Sequence, residues 1–175
     1  MSSIMMRPEK SEYAEYYERY VSLVEETDIA AVLENQLNEL RELLQTVTEE
    51  KSLFAYAEGK WSIRELIGHL SDGERIFAYR ALRISRADQT PIEGFEQDGY
   101  IENSNFNGVS LADLIAELVH LRQANVVLFK SLSDEAWART GRASDNTVSV
   151  RALAYIMAGH IRHHLKILNE RYLAQ

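Results

Sequence analysis

Ala158-Gly159-His160-Ile161-Arg162-His163-His164-Leu165 gathers three of the chain's five histidines into five residues. Around it Leu153, Ile156, Met157 and Ile167 recur at helical spacing, which predicts a long amphipathic helix through the stretch. Residues four apart on a helix stand one above the other, so His160 and His164 project together on the apolar face. Two imidazoles aimed into a core need partners, because a buried polar group without one costs free energy. Either hydrogen-bonding neighbours or a shared metal ion would serve.

Outward from this helix the same period recurs three more times. Thr27 and Asp28 are N-cap residue types, and Ile29, Val32, Leu33, Leu37, Leu40, Leu44 and Val47 predict the first long helix, to about residue 47. Ser62-Ile63-Arg64-Glu65 matches a capping box and opens a second, to about Arg86, with Ile63, Leu66, Ile67, Leu70, Phe77, Ala81 and Ile84 on its apolar line. Ser110 and Asp113 open a third, carrying Leu111, Leu114, Ile115, Leu118, Leu121, Val126 and Phe129. Ser149 caps the last helix, Val150 to about Tyr172.

Shorter features lie between them. Tyr13, Tyr16, Tyr17, Tyr20, Val21 and Val24 predict a short N-terminal helix whose aromatic face packs on the bundle. Residues 48–61 read as a connector that lays Phe54, Tyr56 and Trp61 over one end. A turn of helix is expected around Trp137 and a loop over 141–147. Residues 88–109, with Pro91, Gly94, Gly99 and Gly108 among asparagines, form a long connection between helices two and three. Segments of that length serve as lids, binding loops or crossovers, and this one would let two neighbouring helices run parallel. No stretch reads as a strand. The expected fold is all-α, a four-helix bundle in one domain spanning 1–175.

The composition excludes several classes. A net charge of −8 without a basic cluster argues against nucleic acid. No apolar run approaches a membrane span, and residues 1–10 lack a signal-peptide pattern, so a cytoplasmic protein is expected. The absence of cysteine removes thiolate ligands and a Cys nucleophile.

A third inward histidine would decide between the two readings of the pair, because catalytic zinc sites use three protein ligands and bundles draw them from facing helices. His69, three residues after Leu66, is the candidate. His163 is turned about 60° from the pair's centre line, and His120 has no partner in sequence. Glu74 sits on an apolar line, suited either to proton transfer or to pairing with a core arginine such as Arg80 or Arg151. Asp72 follows His69 by about one turn and is the other candidate acid. Gly73 leaves space beside His69 for a ligand or for close helix packing.

The segments Gly59–Glu65, Gly68-His69-Leu70, Glu74–Leu82, Thr90-Pro91 with Gly94-Phe95, Leu121–Asn125 and Ser149–Leu168 stand in the order of the DinB/YfiT-like superfamily, which the chain resembles over about two-thirds of its length. The resemblance is to the YfiT-type branch, a group connected with metal-dependent hydrolysis and thiol transfer. It implies an up-down-down-up bundle, a homodimer, and one divalent ion per chain, nickel or zinc, held by His69, His160 and His164. The family often shows Gly-His-Glu-x-His-His, where this chain has Ile161 in place of the acid.

The resemblance implies work on a small-molecule substrate in one of two ways. A metal-dependent transferase would join a low-molecular-weight thiol, of the bacillithiol kind, to an electrophile. A metal-dependent hydrolase would use an ionised water instead. A non-catalytic, stress-related dimerisation module that binds metal is the third reading.

Overall fold

The computed structural model describes residues 6–174. The sequence reading of residues 1–5, part of the N-terminal stretch searched for a leader, lies outside the described residues. The helices are α1 (Glu18–Val21), α2 (Ile29–Leu44), α3 (Ile63–Ser85), α4 (Gln97–Glu102), α5 (Leu111–Lys130), α6 (Asp134–Ala138) and α7 (Val150–Ile167), with a hairpin of β1 (Thr140–Ala143) and β2 (Asn146–Ser149) before α7.

The four long helices begin where their capping residues stand. The Asp28 side chain accepts from the Ala31 N–H and Ser149 Oγ from that of Ala152. At the start of α3 the box closes both ways: Ser62 Oγ accepts from the Glu65 N–H at 3.1 Å, and the Glu65 carboxylate accepts from the Ser62 N–H at 2.7 Å. Each such cap satisfies backbone donors that the first turn cannot pair.

Two apolar clusters fill the bundle. One joins Ile29 and Leu33 of α2, Phe77, Ala81 and Ile84 of α3, Val126 and Phe129 of α5, and Leu153–Met157 of α7. The other joins Leu40 and Leu44, Ile63–Leu70, Leu111–Leu118, and Ile161 with Leu168. The beginnings of α3 and α5 thus share one cluster with the ends of α2 and α7. This is the up-down-down-up order, with α3 parallel to α5. Both α2 and α3 pack against α5 and α7, so α2 and α3 occupy opposite corners. Parallel neighbours cannot be joined by a tight turn, which is why the chain between α3 and α5 is long.

Three local expectations change. The N-terminal aromatic segment is not one helix: turns at Lys10–Glu12 and Glu15–Tyr17 flank extended backbone at Tyr13 and Ala14 before α1 begins. Glu12 is held by Arg151 of α7 and the Tyr13 hydroxyl donates to Glu18, so tertiary bonds override the local period. The stretch 141–147 is not an open loop but the turn and strands of the hairpin. Ser144 and Asp145 take φ of 50° and 62°, the left-handed pair a two-residue hairpin turn requires. That turn usually announces itself as Asn-Gly, and Ser-Asp carries a much weaker signal. The long connection also holds a helix of its own, α4, and is stitched to the hairpin: the Ile92 N–H donates to the Arg142 carbonyl, and the Ser144 N–H to the Ile92 carbonyl. Beyond α7 the chain finishes in a π-helical turn, Leu168–Leu173, so the last helix continues to Tyr172 with altered winding.

Candidate metal centre

Between the two apolar clusters lies a polar layer, and the histidines sit in it. His69 of α3 and His160 and His164 of α7 turn their rings toward one another, with centroids 4.9, 4.9 and 4.6 Å apart. One ring nitrogen from each lies within 4.8 Å of the others. His69 and His160 face Nε2 to Nε2 at 2.9 Å, across 91 residues of sequence. All three residues are buried.

Burial holds His69 down to about 4, and His160 and His164 well below the ordinary imidazole value. For His160 and His164 the neighbouring imidazoles add to the effect of burial, since two positive rings this close repel. The three are therefore neutral near pH 7, as a metal ligand must be. Of two imidazole nitrogens facing at 2.9 Å only one can carry the proton between them. His164 Nδ1 is buried without a hydrogen-bond partner. Tetrahedral zinc with Zn–N bonds near 2.05 Å would place its ligand nitrogens about 3.3 Å apart. The His69–His160 pair needs to open by only a few tenths of an ångström, and a His164 nitrogen stands within 4.8 Å of both. The residues fit a divalent cation.

Packing sets the ring positions. The space beside Gly73 that the sequence left open is filled by His160 itself: a Cβ on Gly73 would lie 2.9 Å from its Cε1. Tyr20 and Phe77 meet the His160 ring edge-on, and Trp61 lies 4.8 Å from His69, centroid to centroid. Gly159 has a parallel duty on the other side of α7, where a Cβ would fall 2.0 Å from the Tyr20 carbonyl oxygen. Only glycine lets the N-terminal segment come close enough to cover His160.

The two candidate acids lie elsewhere. The Glu74 carboxylate accepts from Arg122 Nε at 3.1 Å and from Asn125 Nδ2 at 2.8 Å, while Arg122 Nη1 donates to Gln36 Oε1 at 2.7 Å. Gln36 in turn donates to the Ala158 carbonyl at 2.9 Å, which ties all four long helices into one buried network. The arginine that meets Glu74 is thus Arg122, on the adjacent α5, rather than Arg80 or Arg151. Asp72 is half-buried, its carboxyl raised by burial against the lowering effect of Arg75, its ion-pair partner at 3.6 Å. Neither acid lines the cavity over the histidines. His163 is half-buried at the margin, its ring against Tyr20 and His164, and His120 is exposed.

That cavity has a volume of about 230 Å³, with His69 and His160 at its floor and Tyr16, Tyr17, Tyr20, Phe77 and Phe95 around it. Glu96 is the one carboxylate on its wall, and its side chain already caps α4 by accepting from the Gly99 N–H at 2.9 Å. His164 opens the other way, into a cavity of about 460 Å³ lined by Trp61, Tyr56, Lys60, Asp98 and Glu102. The tyrosines of 16–20, expected to pack, also wall the site. No local signal distinguishes a packed tyrosine from one that does both.

Four helices in this order, with the triad at their waist, can be compared with known proteins. Residues 33–168 match the family model of the DinB superfamily. The chain belongs to the DinB superfamily. A relative from Oceanobacillus iheyensis, named "Putative metal-dependent hydrolase OB0413", is 26% identical over 76% of this chain and 77% of its own. "Putative metal-dependent hydrolase YfiT" of Bacillus subtilis is 21% identical over 79% of each. The solved structure of YfiT superposes with a TM-score of 0.75 at 17% identity, covering 97% of this chain and 93% of that one. A mycothiol-dependent maleylpyruvate isomerase superposes at 0.66 with 14% identity, covering 79% of this DinB-superfamily chain and 58% of the isomerase. Among the described residues no helix is long and apolar enough to cross a membrane.

Proposed function

We propose that the protein is a metal-dependent transferase that joins a low-molecular-weight thiol to an electrophile at the His69–His160–His164 centre. The observation that carries this reading is a neutral, buried triad, two of whose rings line an aromatic cavity whose one carboxylate, Glu96, is engaged in capping α4. A divalent ion held by three neutral ligands keeps its full charge and supplies Lewis acidity that ionises a thiol or a water. Attack by water calls for a residue that receives protons. Here Glu74 is engaged by Arg122, Ile161 stands where the family often has an acid, and Glu96 caps a helix. Attack by a thiol needs less, since thiols ionise far more readily than water.

The chain's own residues bind, orient and exclude water. His69, His160 and His164 would hold the ion, nickel or zinc. Trp61, Tyr20 and Phe77 shield the ring edges, and Tyr16, Tyr17 and Phe95 form an aromatic wall sized for a small molecule. Hydrolysis is the second reading, favoured by the names of the relatives, by Glu96 on the cavity wall, and by Asp98 and Glu102 in the cavity on the His164 side. The same proposal includes a cytoplasmic homodimer acting on a small-molecule substrate.

The test is turnover of 1-chloro-2,4-dinitrobenzene with bacillithiol by zinc- or nickel-loaded protein, beside chelated protein and His160→Ala. Metal-dependent conjugation above both controls is expected. Turnover of a p-nitrophenyl ester without thiol, and none with it, would replace the transferase by a hydrolase. A loaded protein inert in both assays would leave a metal-binding module.

A further inference from the structure

Arg80 of α3 stands two turns beyond Gly73 and is 2% exposed. Its guanidinium donates to the Tyr17 hydroxyl at 3.4 Å, the Glu93 carbonyl at 3.2 Å and Ser144 Oγ at 2.9 Å, all neutral oxygens. Nε is buried without any partner. No carboxylate pairs with Arg80 among the described residues. Its neighbours on the same helix differ: Arg75 pairs with Asp72 and Glu117, and Arg83 with Asp88. Arg122, equally buried, has Glu74. Taking a guanidinium out of water without a countercharge is among the most costly arrangements in a fold, and such charges persist where something supplies the missing anion.

The surroundings say what that something is. Arg80 lines a cavity of about 450 Å³ on the outer side of α3, walled by Ile76, Tyr79, Ile92, Phe95 and Tyr100. The long connection, stitched to the hairpin through Ile92, makes the far wall and carries Glu93 and Phe95 to Arg80. The lining also holds Glu93 and two arginines, Arg75 and Arg83, that are already ion-paired, so Arg80 is the uncompensated cation of a largely aromatic and aliphatic bowl. A guanidinium matches carboxylate and phosphate oxygens in geometry as well as charge.

We propose that this cavity binds a small organic oxyanion, a carboxylate or a phosphate ester with an apolar body, and that Arg80 is its anchor. No histidine lines the cavity, so the inference stands whether or not the triad holds a metal. Phe95 belongs to the walls of both cavities and would feel occupancy of either.

Calorimetric titration with phenylacetate, phenyl phosphate and neutral phenylacetamide tests this, on metal-loaded and on chelated protein. One or both anions should bind in either state, more tightly than the amide, and their order identifies carboxylate or phosphate as the preferred group. Arg80→Met should weaken the anion by roughly 30-fold or more, the loss expected when one partner of a buried charge pair is removed. Tyr100→Glu, a change at the half-exposed rim that leaves the arginine in place, should weaken it as well and keeps the test open if Arg80→Met fails to fold. Amide binding equal to anion binding, undiminished affinity in either variant, or absence of anion binding overturns the proposal. So does anion binding that disappears on chelation, which would put the ligand on the metal.

Discussion

Gly73 of α3 and His160 of α7 share one volume: a Cβ on the glycine would meet the imidazole at 2.9 Å from Cε1 and 3.2 Å from Nδ1. The ring has no free direction to retreat, since Tyr20 and Phe77 hold its other edges. Gly73→Ala should push the ring off its position and weaken zinc or nickel binding by about 10–100-fold, the range seen when support of a metal ligand is lost. Alanine favours helix over glycine, so α3 itself should not suffer. Titration of metal into the variant checks this, and wild-type affinity would mean the ring is not held as tightly as its contacts indicate.

About one divalent ion per chain is expected after reconstitution, as a single three-histidine site requires. His160→Ala should abolish retention through desalting, and His163→Ala should leave it intact. Elemental analysis gives both results directly. Equal losses in His163→Ala and His164→Ala would move the site to the other side of α7.

Glu74 and Arg122 are both buried, and each is the other's charge partner. Arg122→Met leaves a buried carboxylate uncompensated and should cost about 3–5 kcal/mol in urea unfolding. Adding Glu74→Leu to it should recover much of the loss, because the stranded charge is then gone. Glu74→Gln should lower stability with no effect on turnover per folded molecule. A fall in turnover at unchanged stability would return Glu74 to the chemistry.

Acid should destabilise the metal-free protein through its histidines. Burial holds His69 at about 4 in the fold, and unfolding restores a value near 6.5. Between these values the unfolded chain binds more protons, so stability falls as pH drops across that window and is unaffected above it. For His69 the effect is on the order of 2–3 kcal/mol, and His160 and His164 act in the same direction. Urea midpoints measured in chelator from about pH 7 to pH 4.5 should decline less steeply for His69→Gln than for wild type. Parallel declines would contradict the burial effect.

The helices were legible because each carries its own period and its own cap. The capping box at Ser62 and the apolar line of α3 are local features, and the structure repeats both. The aromatic segment misled for the reason that makes it interesting. Tyr13, Tyr17 and Tyr20 have helical spacing, but Arg151 and the bundle surface fix the backbone there, and the chain kinks to lay those rings against α7. The hairpin is not legible in the sequence because Ser144-Asp145 is a weak statement of a turn that is supported by Ile92.

The same division holds at the site. Helical geometry in the sequence alone put His160 and His164 on one face and marked His69 as an inward residue. Only the tertiary structure brought His69 to within 2.9 Å of His160, gave Glu74 to Arg122, and left Arg80 without a carboxylate. A periodic pattern states which face of a helix avoids water. It does not state which residue of which other helix will stand opposite, because that depends on how two apolar clusters pack and how a long connection returns the chain.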